Sequence, residues 1–100
     1  MTKINFDEFR NEFEQLQNKI VEKNNELQKE HDGAIKSGDE YLWKLCEKRQ
    51  NLLRLAIIKA EDSLTYMIQE DDDDFSQNKD QFKRDMDSAE IILKNINYDF

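Results

Sequence analysis

The side chains that could carry out chemistry in this chain are few and isolated. The single histidine, His31, lies between Glu30 and Asp32, and an imidazole beside carboxylates can transfer protons or bind a metal. A lone histidine in a polar segment is far more often solvated, so we expect a solvated His31. The single cysteine, Cys46, lies among apolar residues and would need a neighbouring base to act as a nucleophile, so we expect a buried, inert thiol.

The most conspicuous local feature is an acidic run, which consists of Glu70, Asp71, Asp72, Asp73 and Asp74. Adjacent carboxylates repel one another, so the run should stay solvated and favour a nearby cation or basic surface. An EF-hand calcium loop spaces its oxygens over about 12 residues with a central glycine and a terminal glutamate, a pattern that this stretch lacks. We expect a loop whose last acids favour the start of the next helix, or a docking site for a basic protein, with no metal and no cofactor.

Recognised catalytic patterns are missing from the sequence. It contains no Gly-rich phosphate loop, HExxH, CxxC or Ser/His/Asp constellation. Carboxylate pairs at helical spacing are plentiful because the chain is acidic, and nothing distinguishes one pair from the others. We therefore predict that the protein is not an enzyme and has no catalytic residues.

Apolar residues recur at alternating steps of three and four along three segments, the spacing that places one stripe along a helix. The first stripe consists of Phe6, Phe9, Phe13, Leu16, Ile20 and Leu27. The second consists of Leu42, Leu45, Cys46, Leu52, Leu53, Ala56, Ile57, Ala60, Leu64, Met67 and Ile68, and the third of Phe75, Phe82, Met86, Ala89, Leu93, Ile96 and Phe100. The chain has no proline, and its two glycines, Gly33 and Gly38, mark one clear turn. We predict an all-α fold, either a three-helix antiparallel bundle or a long helical hairpin with a third helix, with coiled-coil-like packing. The predicted helices span about 6–31, 39–70 and 75–97 of a single helical domain, residues 1–100.

Polar residues predict where the first two helices begin and how the second aligns with its neighbours. Asn5 with Glu8, and Ser37 with Glu40, have the spacing of a capping box, in which each side chain bonds the other residue's backbone amide. Arg49 lies within the stripe of the second helix, where we expect it to reach solvent or to pair with an acid of the first or third helix.

The net charge of −8 is unevenly distributed, with −2 over residues 1–38, zero over 39–69 and −6 over 70–100. Nucleic acid and anionic lipid both carry phosphate, so we expect neither direct nucleic-acid binding nor membrane association. No apolar run is long enough to cross a bilayer, and a single cysteine requires no oxidising compartment, so we expect a cytoplasmic protein. The charge favours a basic protein as the partner.

The candidate partner-binding residues form an acidic group and an apolar group. The acidic group combines Asp71, Asp72, Asp73 and Asp74 with Asp80, Asp85 and Asp87 of the third helix. In the apolar group, Leu55 and Ile58 lie on the far side of the second helix from its stripe, whereas Trp43 flanks the stripe. Such an apolar pair marks a partner contact or a dimer seam unless a neighbouring helix covers it. Trp43 either closes one end of the core or anchors a partner.

The segment from Leu27 to Leu53 contains Lys36-Ser37-Gly38-Asp39, Leu45, Lys48-Arg49 and Leu52-Leu53. It resembles the helix–turn–helix of flagellar and type III export chaperones, which join long antiparallel helices through a short turn of this kind. The resemblance covers about a quarter of the chain and uses residues common to helical hairpins. It implies an adaptor or export chaperone that binds through an apolar helix surface.

Our leading hypothesis is a small acidic binding protein that inhibits a basic partner, as toxin-immunity proteins and phage-encoded inhibitors of host defence nucleases do. Charge concentrated at one end steers a basic partner and competes with nucleic acid for its surface. One alternative is the adaptor or chaperone, which would bind with weak salt dependence. The other is a homodimer or larger homo-oligomer in which the heptads continue between chains.

Overall fold

The computed structural model describes residues 6–69 and 75–99. These residues form three α-helices, α1 (Asp7–Ser37), α2 (Glu40–Gln69) and α3 (Phe75–Asp99). The second helix packs extensively against both neighbours, whereas α1 and α3 contact each other much less. The predicted all-α three-helix bundle is therefore confirmed, and it measures 61 Å by 19 Å by 18 Å.

Two apolar clusters fill the interior along the length of α2. One contains Leu16, Ile20, Leu27, Leu53, Ala56, Ala89 and Ile96. The other contains Phe13, Ala60, Leu64, Met67 and Phe82. Next to this second cluster, the ring of Phe9 meets those of Phe75 and Phe82 edge-on, at centroid distances of 6.2 Å and 6.1 Å. These residues belong to the stripes predicted from the sequence, and Phe100 of the third stripe lies outside the described residues.

The first helix is longer than the sequence predicts. It continues through Gly33 and ends at Ser37, six residues beyond the predicted end at position 31. Ala34 follows Leu27 at the heptad spacing and is only 2% exposed. Continued packing of this stripe outweighs the cost of about 1 kcal/mol for a glycine inside a helix.

Gly38 ends α1 in the left-handed conformation, with φ 75° and ψ 20°. Its N–H donates to the Ile35 carbonyl at 3.2 Å, and the Asp39 N–H donates to the Ala34 carbonyl at 2.9 Å. This pair of bonds is the Schellman arrangement, which satisfies carbonyls that the helix leaves without partners. The turn therefore depends on Gly38 and not on Gly33.

The polar residues at the helix starts act differently from the predicted capping boxes. The Ser37 hydroxyl donates back to the Ala34 carbonyl at 3.2 Å, because Ser37 still belongs to the last turn of α1. Asp39 is the N-cap of α2 instead, since its Oδ1 accepts from the Leu42 N–H at 3.1 Å. Asn5 of the other predicted box lies outside the described residues.

Alanine at the two glycines should change stability in opposite directions. Gly38→Ala should lower the free energy of unfolding by about 1 kcal/mol, because an L-residue is strained at a φ of 75°. Gly33→Ala should raise it by about 0.5–1 kcal/mol, because a Cβ at this helical position meets nothing within 4 Å. Urea unfolding followed by circular dichroism measures both variants, and a change of the same sign in both would contradict this account of the turn.

Candidate partner-binding surfaces

The acids from Asp71 to Asp74 lie outside the described residues, so their role in binding stays a prediction. The helices that this run connects are described. The ring of Phe75, at the start of α3, lies 6.0 Å from that of Phe6 beside the start of α1. The starts of α1 and α3 and the end of α2 at Gln69 therefore share one end of the bundle, where the first turn of α1 adds two further acids.

Asp85, one of the α3 acids predicted to contact a partner, is only 4% exposed and lies between α2 and α3. Its Oδ2 accepts a hydrogen bond from the Ser63 hydroxyl of α2. Its Oδ1 accepts from Gln81 Nε2 at 3.1 Å and lies 3.8 Å from Lys59 Nζ. Both carboxylate oxygens of Asp85 therefore contact residues at the α2–α3 interface, and this side chain is not part of an acidic outer surface.

Asp80 and Asp87 are exposed on α3, and Asp87 lines a groove of about 150 Å³ between α1 and α3. The lining residues are Glu12, Gln15, Leu16 and Lys19 of α1 and Met86, Asp87 and Glu90 of α3. The three carboxylates of this groove belong to Glu12, Asp87 and Glu90. None of them forms an ion pair with another residue of the described part of the chain. We name this surface the acidic groove, and its Glu12 and Glu90 were not among the residues predicted from sequence.

The apolar candidates lie on different parts of α2. Leu55 is 59% exposed and Ile58 is 44% exposed, so the helices described here do not cover them. Trp43 is half-buried near the start of α2. Of these three candidates, Leu55 and Ile58 therefore expose the most apolar surface on the outward side of α2, and Leu55 also borders a groove beside Ile92 of α3.

His31 lies where α1 packs against α2, so its surroundings differ from those expected from the sequence. Its side chain is 15% exposed and only partly solvated, because Glu47 of α2 lies alongside it with Oε1 3.1 Å from His31 Nε2. Asp32 Oδ1 is 4.0 Å from the other ring nitrogen. Nearby, Gln50 Nε2 donates to Gln28 Oε1 across the same pair of helices at 3.0 Å. The His31–Glu47 and Gln28–Gln50 contacts connect α1 with α2. The described residues contain no group of three or more His, Cys, Asp or Glu side chains placed to bind a metal.

The Cys46 thiol is completely buried, and its Sγ donates a long hydrogen bond to Glu30 Oε2 at 3.8 Å. Burial raises the pKa of the Cys46 thiol, and the neighbouring Glu30 carboxylate raises it further, against a smaller opposing effect of Arg49. The thiolate is the reactive form of cysteine, so these surroundings disfavour nucleophilic chemistry. Cys46 acts here as a small core residue.

Arg49 bonds to the backbone at the end of α3. Its Nη2 donates to the Asn97 carbonyl at 3.2 Å, in the last turn of that helix. Helix carbonyls at a C-terminus lack partners within the helix and favour a nearby cation. Arg49 therefore helps to fix the position of α3 along α2.

No family model, curated protein or solved structure matches this chain. Any functional assignment therefore depends on the chemistry of the chain's own residues. Within the described ranges, no helix combines the length and the apolar character needed to cross a membrane.

Removing the buried carboxylate should be far more costly than removing an exposed one on the same helix. Asp85→Ala should lower the free energy of unfolding by about 3 kcal/mol, because the Ser63 hydroxyl and Gln81 amide lose a charged acceptor. The matched control Asp87→Ala should change it by less than about 0.5 kcal/mol. Ser63→Ala combined with Asp85→Ala should cost less than the sum of the two single variants. Equal losses for Asp85→Ala and Asp87→Ala in urea titrations would contradict the buried position of Asp85.

Native Cys46 should react slowly with iodoacetamide at about pH 8, because the thiol is buried and its pKa is raised. Because the thiol pKa is raised, the thiolate fraction of native Cys46 is lower at any given pH than that of an ordinary cysteine, and it increases only at more alkaline pH. Unfolding in urea should increase the alkylation rate by at least about a hundredfold. Mass spectrometry of timed samples measures both rates, and equal rates in the native and unfolded protein would contradict the buried site.

Proposed function

We propose that this protein is a non-enzymatic binding protein that engages and blocks a basic partner protein through its acidic surface. Toxin-immunity proteins and phage-encoded inhibitors of host defence nucleases act in this manner. The observation that carries the proposal is the acidic groove, in which Glu12, Asp87 and Glu90 have no ion-pair partner among the described residues. The groove also contains Lys19, so its lining carries a net charge of −2, and carboxylates without an ion pair are available to a cationic ligand.

The position of the acidic groove supports electrostatic recognition by two helices at once. Glu12 belongs to α1, whereas Asp87 and Glu90 belong to α3, and these helices contact each other little. A basic segment lying between them would contact carboxylates on both sides. The acidic run, Glu70 to Asp74, supplies half of the ten acids in residues 70–100 and would extend this field.

Inhibition follows if the partner uses the same basic surface for its own ligand. A nuclease or a nucleic-acid-binding toxin holds phosphates with lysine and arginine side chains. An acidic protein bound to those side chains would exclude the nucleic acid by occupying its site. Because both interactions are electrostatic, binding should be fast and should weaken steeply with salt.

The adaptor or export-chaperone hypothesis would assign binding to the exposed Leu55 and Ile58 instead. Their exposure supports a contact surface on α2. An apolar contact of this kind depends little on salt, so the two hypotheses differ in a property that is simple to measure.

The decisive experiment uses the protein as bait in a lysate of its native host, followed by titration of the purified partner at about 0.05 M and 0.5 M salt. We expect a basic partner whose affinity falls by at least about a hundredfold at the higher salt concentration. Glu12→Gln with Asp87→Asn should weaken binding by at least about tenfold. The matched control Glu22→Gln with Glu61→Gln removes the same charge from two exposed positions outside the acidic groove and should have a much smaller effect.

Two further variants separate the proposed function from its rival. Asparagine at all four positions from Asp71 to Asp74 should reduce binding strongly, whereas Leu55→Asp with Ile58→Asp should preserve it. A partner retained at high salt, spared by the acidic variants and lost with the apolar ones would contradict the inhibitor proposal and support the chaperone hypothesis.

A further inference from the structure

The outward face of α2 carries a second heptad pattern in addition to the stripe buried in the core. Its members recur at alternating steps of three and four and are all exposed. We name these residues the outer seam, which consists of Lys48, Asn51, Leu55, Ile58, Asp62 and Thr65. Residues with this spacing lie along one line of a helix, the arrangement with which helices pack in a coiled coil.

The chemistry of the outer seam changes in order along the helix. A cation, Lys48, lies toward the start of α2, the apolar pair Leu55 and Ile58 lies in the middle, and an anion, Asp62, lies toward the end. Neither Lys48 nor Asp62 forms an ion pair with another residue of the described chain. A surface of this kind is complementary to a copy of itself turned end to end, and a parallel copy would instead bring like charges together.

We infer that the outer seam binds a second copy of this chain as an antiparallel two-helix contact related by a two-fold axis. An axis between Leu55 and Ile58 places each of them opposite the other residue in the second copy. The same register sets Asn51 opposite Asp62 of the second copy, with Lys48 within one turn of that carboxylate. Asn51 has no hydrogen bond to another described residue, so its amide is available to donate to the carboxylate.

The contact is limited in area, and its apolar centre consists of two side chains from each copy. Small interfaces bind weakly, so the dimer should form as the protein concentration rises and dissociate as it falls. The outer seam shares no residue with the acidic groove, so dimerisation leaves that groove open and does not depend on the proposed inhibitor function.

Sedimentation equilibrium over ~5 µM to ~500 µM tests the inference on the complete chain. The mass should rise with concentration toward twice the 12.1 kDa of one chain. Leu55→Asp with Ile58→Asp should remain monomeric throughout. The control Ile91→Asp alters a residue of α3 that is 58% exposed and outside the outer seam, and it should dimerise like the parent. A monomeric parent, or dimerisation unaffected by the Leu55 and Ile58 substitutions, would overturn the inference.

Charge exchange tests the antiparallel register independently of the apolar pair. Lys48→Asp should weaken dimerisation by about tenfold, since it brings two carboxylates within one turn of each other. Adding Asp62→Lys should restore the affinity to within about threefold of the parent. These surface substitutions leave the core intact, which circular dichroism checks. A double variant that dimerises no better than Lys48→Asp alone would overturn the proposed register.

Spin labels give the orientation directly. With Lys44→Cys as the labelled position and Cys46→Ser to remove the native thiol, the antiparallel dimer should place the two labels about 40 Å apart. A parallel arrangement would place them about 10 Å apart and would overturn the inference.

Discussion

The width of the apolar stripe on α2 is the constraint on which the rest of the structure depends. Each core cluster combines buried residues of α2 with residues of both α1 and α3, so neither neighbouring helix alone could remove the stripe from water. Because α1 and α3 both pack on α2, they contact each other little and leave the acidic groove between their polar flanks. The helices within residues 6–69 and 75–99 leave the outward face of α2 uncovered. One packing requirement thus creates both surfaces that we propose for binding.

Polar contacts select one alignment of helices whose apolar stripes repeat every seven residues. Moving α3 by one heptad along α2 would preserve much of the apolar packing but would bring Asp85 beside Ala56 in place of Ser63. A buried carboxylate without its hydroxyl donor is strongly disfavoured. The bond from Arg49 to the Asn97 carbonyl fixes the same pair of helices near their other end. The charged residues inside the bundle are therefore used for alignment.

The periodicity of the sequence was sufficient to predict the three helices and most of their buried faces, because burial follows heptad spacing directly. The surroundings of polar residues were harder to predict from the sequence, because they depend on which residue of another helix lies beside them. Asp85 is three residues after the buried Phe82, a spacing that could have identified it as an interior residue. The contact of His31 with Glu47 and the meeting of Glu12 with α3 had no such signal, because they depend on how separate helices align. The length of α1 was underestimated because packing outweighed a local helix breaker.

Native-state hydrogen exchange tests most directly whether α2 organises the bundle. If both neighbours depend on α2, the amides from Leu53 to Met67 should exchange only through global unfolding. Their free energy of opening should then equal the free energy of unfolding measured in urea, and no segment of α1 or α3 should exceed it. Exchange of these α2 amides through a lower-energy opening, while α1 and α3 stay protected, would contradict the central place that we give to α2.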